Sequence, residues 1–366
     1  MVRKVKEKYN LSFGEMAISV KGNNKFLQAV DLVLDWEAIN SIFNKRSYTS
    51  PYGASAYSKI LLFKIILLQT WYNLSDPVVE EQINDRISFI KFLKISLDSP
   101  TPDHSTISRF RTFLIKENLF NELFQEINRQ LIYHNLIVKN GAIVDATVIS
   151  SARRPKKVIQ GEVTEDRKED IVSSEYPKEA TREVEENTPV VTFSNDTDAK
   201  WLKKRGKFIY GYKAHNLVNY HGYFLGGHVT PANVSDINQL EAVILESNLE
   251  SGIFVLGDKG YMSKNNVELL KTLGFQDGLM RKNVKNKKIT EDEEFKNKEI
   301  SKIRYRVEQS FGLLKKHFGY ERMRYIGTEK CNLENTLKML SLNIKKGVHS
   351  LAREFGNRNK KIMCLN

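Results

Sequence analysis

The sequence predicts an α/β protein: an all-helical N-terminal domain followed by a domain built on a mixed β-sheet. Three observations lead there. Residues 1–137 carry apolar residues at helical spacing over long stretches. At Gly141 the period changes to short β-branched runs bounded by turn residues. From there the elements follow in the order β-β-β-α-β-α-β-α-α, for which a mixed sheet is the expected layer. The 366 residues suffice for two domains with a sizeable core.

In the first domain, 56–75 has helical length and no internal Gly or Pro. Its run "ILLFKIILL" (60–68) contains Lys64 and is too short to span a bilayer, so it reads as a buried helix. Residues 75–93 begin with a Ser/Asp cap and a Pro close behind. Residues 98–131 open on prolines and the cap candidates Asp103 and Ser105. There Ser105, Thr106, Ser108, Arg109 and Arg111 fall on the first turns of a helix. That texture suits either a DNA-reading head, with Arg109 and Arg111 reaching bases, or a bundle helix with a polar outer face. As a separable unit, 1–137 is expected to handle DNA recognition and multimerisation.

The second domain is expected over 138–352, with 353–366 as a basic tail. "AIVDATVI" is its first strand, and 207–232 gives two more around a turn at His221-Gly222. An amphipathic helix capped by Ser235 covers 234–249. A short buried strand ends at Gly-Asp in "GIFVLGDKGY" (252–261) and leads into the next helix; 275–280 is another strand. Helices over 297–318 and 332–352 close the order. Residues 153–200 break the pattern: polar, with acids outnumbering bases in 162–186, they read as a solvated insert.

Composition narrows the function. Lys and Arg total 57 against 44 Asp and Glu, a net +13. A surplus of that size points to a polyanionic partner, usually nucleic acid, although many basic proteins have none. Cys331 and Cys364 form neither a metal-type spacing nor a disulfide framework, which fits a reducing cytosol. The polar opening "MVRKVKEKYN" is no signal peptide, and no membrane association is expected.

Asp145 poses the sharpest chemical question, because it sits mid-strand among apolar neighbours and a buried carboxylate costs several kcal/mol unless compensated. Asp258 ends a buried strand and Glu308 lies in a long helix. Singly, Asp258 could be turn chemistry and Glu308 an ordinary surface residue. Together, strand-borne and helix-borne carboxylates can place hard oxygens around a pair of Mg²⁺ ions for phosphoryl transfer. In "IRYRVEQSFGLLKKHFGY", Arg304 and Lys315 share the Glu308 face, as a phosphate path would require. Trp201, among Lys200, Lys203, Lys204 and Arg205, could stack on an unpaired base or pack onto the sheet. Lys213 and His215 alternate on one strand face and are candidates for DNA contact. Lys259, beside Asp258, could touch a phosphate or decorate a turn. His104 has no partner at ligand spacing, so no zinc site is expected.

These motifs resemble a known family. "VDATVISSA" around Asp145, "LGDKGY" around Asp258 and "RVEQSFGLLKKHFGY" around Glu308 are similar to the DDE motifs of bacterial insertion-sequence transposases, most closely the insertion sequence five family in the larger four/five group. "YSKILLFKIILLQTWYNLSDPVVEEQI", "PDHSTISRFR", "YGYKAHNLVN" and "VTPANVSD" carry the likeness over roughly residues 55–345, the insert excepted. The wider group's signature is Tyr, two residues, Arg, three residues, Glu, six residues, Lys. Arg304, Glu308 and Lys315 match it, while Ser301 stands at the Tyr position. The resemblance implies an RNase H-like fold and Mg²⁺ dependence, with Mn²⁺ as a substitute. It also implies cleavage and strand transfer at terminal inverted repeats by a homo-multimer on double-stranded DNA, near the nucleoid of a bacterial cytoplasm. The residues alone lead only to metal-dependent phosphoryl transfer on nucleic acid. A nuclease on the same fold and an inactive end-binding repressor remain the alternatives.

Overall fold

The helical half forms around a helix that has no polar face. In the computed structural model, which describes residues 24–46, 57–159, 190–204, 206–283 and 288–363 and gives the backbone alone for 156–159, 190–193 and 352–363, the first described helices are α1 (Lys25–Val33), α2 (Trp36–Asn44) and α3 (Lys59–Trp71). There follow α4 (Asp76–Asp85), α5 (Ile87–Leu93), α6 (His104–Lys116) and α7 (Leu119–Tyr133). Every residue of α3 from Leu61 to Gln69 is buried. Lys64 is tolerated there because its Nζ meets Asp31 Oδ1 and the Phe92 carbonyl, each at 3.0 Å, and lies 4.3 Å from the Trp36 ring centre. The single helix anticipated over 75–93 is two. Ser75 caps α4 as expected, but Arg86 takes extended backbone angles and turns the chain into α5. Asp103 rather than Ser105 caps α6, and Asn118, at φ 50°, divides α6 from α7.

The second half is a mixed sheet. Its strands are β1 (Ala142–Ser150), β4 (Lys200–Lys204), β5 (Lys207–Val218), β6 (Phe224–Pro231), β7 (Phe254–Gly257) and β8 (Gln276–Leu279); β2 (Lys156–Ile159) and β3 (Val190–Phe193) form a separate ribbon. β1 lies in the middle, antiparallel to β5 and parallel to β7, and β8 extends the parallel side. β5 is long enough for β4 to pair with its first half and β6 with its second. The mixed sheet expected of an RNase H-like domain is present, with a meander on one side and parallel crossovers on the other. Between β5 and β6 the chain turns at Gly222, φ +73°, where a Cβ would come within 2.7 Å of Ser310 Oγ. Only glycine fits that approach.

Helices α8 (Leu240–Glu246) and α9 (Lys264–Thr272) make the crossovers, and α10 (Glu291–Phe318) packs across β1. α10 begins with a capping box between Thr290 and Glu293 and ends at Gly319 in the left-handed conformation. The 234–249 helix is shorter than anticipated: residues Asp236–Asn238 form a 3₁₀ turn, Ser235 makes no side-chain cap, and α8 starts at Leu240. The last helix, α11 (Thr328–Met363), outruns the expected boundary at 352 and takes in most of the anticipated tail.

α11 joins the halves. Trp71 Nε1 donates to the Ser341 carbonyl at 3.1 Å, and Asn343 Nδ2 reaches Asn128 Oδ1 at 2.9 Å. Asn128 in turn donates to the Phe224 carbonyl on β6. The apolar core therefore runs unbroken from α1 through the sheet to α11. Of the anticipated insert, residues 160–189 lie outside the described residues. At its base β2 and β3 pair, and the returning chain is anchored through buried Asp196, which accepts from Ser151 Oγ and Tyr212 Oη.

Candidate active site

Strand register brings the first two carboxylates together. β1 pairs with β7 through Ala142↔Val255, Ile143↔Leu256 and Val144↔Gly257. One step further along both parallel strands stand Asp145 and Asp258, at the C-terminal edge of β7. Each carboxylate is fixed by a nearby backbone N–H, Asp145 Oδ1 by Ala146 at 2.8 Å and Asp258 Oδ1 by Gly260 at 2.8 Å. Gly260 lets the turn close tightly on Asp258, since a Cβ there would come within 2.9 Å of Asp258 Oδ1 and push the carboxylate aside.

The third carboxylate comes from α10. Val307, Ser310, Phe311 and Leu314 bury one side of this helix against the sheet, which leaves Glu308 on the flank, its side chain 66% exposed. Arg304, one turn earlier, points inward. Its Nη2 is 3.2 Å from Asp145 Oδ2 and 4.0 Å from Glu308 Oε1. The guanidinium is thus the cation that compensates Asp145. Compensation is incomplete: the Asp145 carboxyl is raised from 3.8 to about 6, chiefly by burial, with the charges of Asp258 and Glu308 adding and Arg304 and the Ala146 N–H opposing. Among the described residues, no three Asp, Glu, His or Cys side chains are already drawn together as a metal cage. The donor set itself, three carboxylates of which two are fixed on adjacent parallel strands, one within β1 and one at the end of β7, is of the hard-oxygen kind that Mg²⁺ and Mn²⁺ take.

Beneath the carboxylates lies a floor that sequence reading missed. Tyr261 is fully buried, its hydroxyl 3.5 Å from His215 Nδ1. Burial first, then the charges of Asp236, Asp145 and Asp258, holds that phenol well above its usual range, so it stays protonated. The available signal was position: Tyr261 follows Asp258 by three residues in a tight turn, and its hydrophobic bulk marks a residue that turns back under the strand end.

Several expected DNA contacts are corrected by burial. His215 is fully buried, with Nε2 3.0 Å from Thr230 Oγ1, and burial with nearby His228 and Lys213 lowers it to about 3, hence neutral. Lys213 is buried too, donating to the Val234 carbonyl at 2.7 Å and lying 2.8 Å from Asp236 Oδ1. Alternation suggested one open face, but most of β5 is covered on both sides, as central strands are. Arg111 is likewise no base reader. Its guanidinium is buried, bridges both oxygens of Asp76 and lies 4.9 Å from the Tyr325 ring centre. Arg304, expected on a phosphate path, is turned to Asp145 instead.

Other candidates face solvent. Arg109 is exposed on α6, its guanidinium bonded back to Ser105 Oγ at 2.8 Å. Lys259 is exposed beside Asp258, and Lys315 is half-buried two turns beyond Glu308 on α10, about 10 Å along the axis. Trp201 on edge strand β4 is 46% exposed, with one face against Tyr210 at 5.2 Å between ring centres. His104 Nδ1 meets Glu80 at 2.9 Å.

The chain matches the model of the transposase DDE domain over residues 138–344 and a second transposase domain model, DUF772, over 15–113. It is 36% identical over 246 residues to the transposase for insertion sequence element IS1106 of Neisseria meningitidis serogroup B, covering 67% of this chain and 78% of that protein. Among solved structures it is similar to the piggyBac transposase synaptic complex with hairpin DNA, at 11% identity and TM-score 0.36 over 92% of this chain and 78% of that one. It is also similar to the Mos1 transposase paired-end complex with the left transposon end, at 10% identity and TM-score 0.20 over 83% and 93%. The DDE domain model spans the strands and the helix that carry Asp145, Asp258 and Glu308, and with it the chain belongs to the DDE transposases of bacterial insertion sequences, enzymes of DNA transposition.

Proposed function

We propose that this chain cleaves DNA at the terminal inverted repeats of its insertion sequence and transfers the cut strand to a target, with Asp145, Asp258 and Glu308 as ligands of a Mg²⁺ pair. The observation that carries the reading is the register that puts Asp145, within β1, beside Asp258 at the end of the adjacent parallel strand β7, under the helix flank bearing Glu308. DDE transposases are divalent-metal dependent, and an all-carboxylate donor set favours Mg²⁺, with Mn²⁺ able to replace it. When bound, the ions activate the attacking oxygen and stabilise the leaving one.

The chain's own residues do the positioning. Backbone N–H bonds from Ala146 and Gly260 fix the two aspartates, and the buried, neutral Tyr261 and His215 pack against each other beside them. Lys259 and Lys315 flank the carboxylates and would take DNA phosphates, which position a duplex without reading it. Arg109 on α6 and Trp201 on β4 are the exposed candidates for end recognition. Because transposition processes two ends of one element together, the reading assigns a homo-multimer on paired ends, acting on the chromosome in the bacterial cytoplasm. Among the described residues no helix is long and apolar enough to cross a membrane.

The test is a joining assay. End duplexes with a free 3′-hydroxyl are incubated with a supercoiled plasmid, Mg²⁺ and the full chain. Covalent attachment of the end to the plasmid is expected. Nicked ends with no joined product under any divalent metal would reduce the activity to that of a hydrolytic nuclease.

A further inference from the structure

We infer that Arg304 is a built-in competitor of the metal, closing the carboxylate site in the resting protein and leaving it when DNA arrives; the inference rests on the metal-site reading above. Its first support is position. One guanidinium nitrogen lies between a strand carboxylate and a helix carboxylate, 3.2 Å from Asp145 and 4.0 Å from Glu308, where a bridging cation would also be placed.

The second support is how poorly Arg304 is held. Its side chain is only 14% exposed, yet its Nε is buried without a hydrogen-bond partner among the described residues. Its Nη1 has the Met280 sulfur at 3.9 Å, a weak acceptor. Structural arginines in the same protein are bound differently: Arg111 grips both oxygens of Asp76, and Arg324 reaches the Leu74 carbonyl and Asn73 Oδ1. A buried donor left unmade costs about 1–3 kcal/mol. Arg304 is therefore held by a single charge-assisted hydrogen bond, to Asp145, and by a weak contact to sulfur, so a stronger cation can replace it.

The third support is the openness of the ligand set: Arg304 stands between Asp145 and Glu308, and the Glu308 side chain stays exposed. A divalent ion entering between Asp145 and Glu308 needs the space and the charge that Arg304 now uses. Arg304 lies on the helix face shared by Glu308 and Lys315, so once displaced it would meet a phosphate of DNA lying along that face. Metal and DNA thereby favour the same movement, and each should strengthen the binding of the other.

The experiment is a Mn²⁺ titration of the full chain, read by electron paramagnetic resonance, without DNA and with a short random-sequence duplex. Wild type, Arg304→Gln, Arg304→Lys and Asp145→Asn are compared, and circular dichroism confirms that each is folded. Without DNA, Arg304→Gln should bind Mn²⁺ about tenfold tighter than wild type, with Arg304→Lys between them. The duplex should tighten Mn²⁺ binding by wild type several-fold and leave Arg304→Gln little changed. Equal or weaker Mn²⁺ binding by a folded Arg304→Gln, or by folded Arg304→Lys if the glutamine variant does not fold, would overturn the inference while loss of binding in Asp145→Asn kept the metal site intact. Wild-type Mn²⁺ binding by Asp145→Asn would remove the metal site and the inference together.

Discussion

Asp145 shows what a single residue must resolve. Its place mid-strand is legible in "VDATVI", and so is the need for compensation. The partner is not legible, because Arg304 is 159 positions away and meets it only once α10 crosses β1. The pairing also changes what removal of Asp145 does. Deleting the carboxylate does not simply relieve a buried charge; it leaves Arg304 buried without its main partner. Titration gives a direct reading of this balance. With the carboxyl raised from 3.8 to about 6, mainly by burial, the folded chain holds a proton that the unfolded chain releases. The stability from this group is therefore fully present below about pH 4 and lost as the pH rises through about 6, by at most about 3 kcal/mol. In chelator, urea midpoints of wild type should fall relative to Asp145→Asn between pH 4 and 7. Parallel curves for the two proteins would contradict the burial argument.

Element by element, helices and strands were readable where one physical cue dominated. The apolar run in α3, the Ser75 and Asp103 caps and the β-branched core of β1 are such cases. Cues failed where tertiary contacts overruled them. The 3₁₀ turn at Asp236–Asn238 replaces a helical turn as Asp236 comes beside Lys213. On α6, Ile107, Phe110, Arg111 and Leu114 are buried together. Residues 107, 111 and 114 follow the i, i+4, i+7 pattern, so the buried position of Arg111 was present in the spacing but masked by the attraction of an arginine for DNA. The two arginines of this helix should accordingly separate in experiment. Arg111→Ala should destabilise the protein by about 3 kcal/mol, because Asp76 loses its buried partner. Arg109→Ala, at an exposed site, should change stability by no more than about 0.5 kcal/mol while weakening binding to end DNA. Thermal melts and gel shifts of both variants check this; similar melting losses for the two would refute the distinction.

For the whole molecule, the order of elements predicts a mixed sheet, but sequence does not give the registers, and the registers make the site. Asp145 and Asp258 are 113 positions apart and become neighbours only through the parallel pairing of β1 with β7. The anticipated division at 137 is crossed by one apolar core, with α11 hydrogen-bonded to helical half and sheet alike. Net charge pointed correctly to nucleic acid, yet Lys64, Lys213 and Lys338 spend their charge inside the protein, so a count of cations overstates what DNA can meet. The central claim is that three carboxylates from two strands and one helix form a single metal-dependent cleavage site. Asp145→Asn, Asp258→Asn and Glu308→Gln keep side-chain shape while removing the charge a metal needs. Strand cleavage of end duplexes in Mg²⁺ should fall at least about a thousandfold, roughly 4 kcal/mol of barrier, in each of the three, with gel-shift affinity for the same duplex within a few-fold of wild type. Wild-type cleavage by any one of them would take that residue out of the site and break the claim.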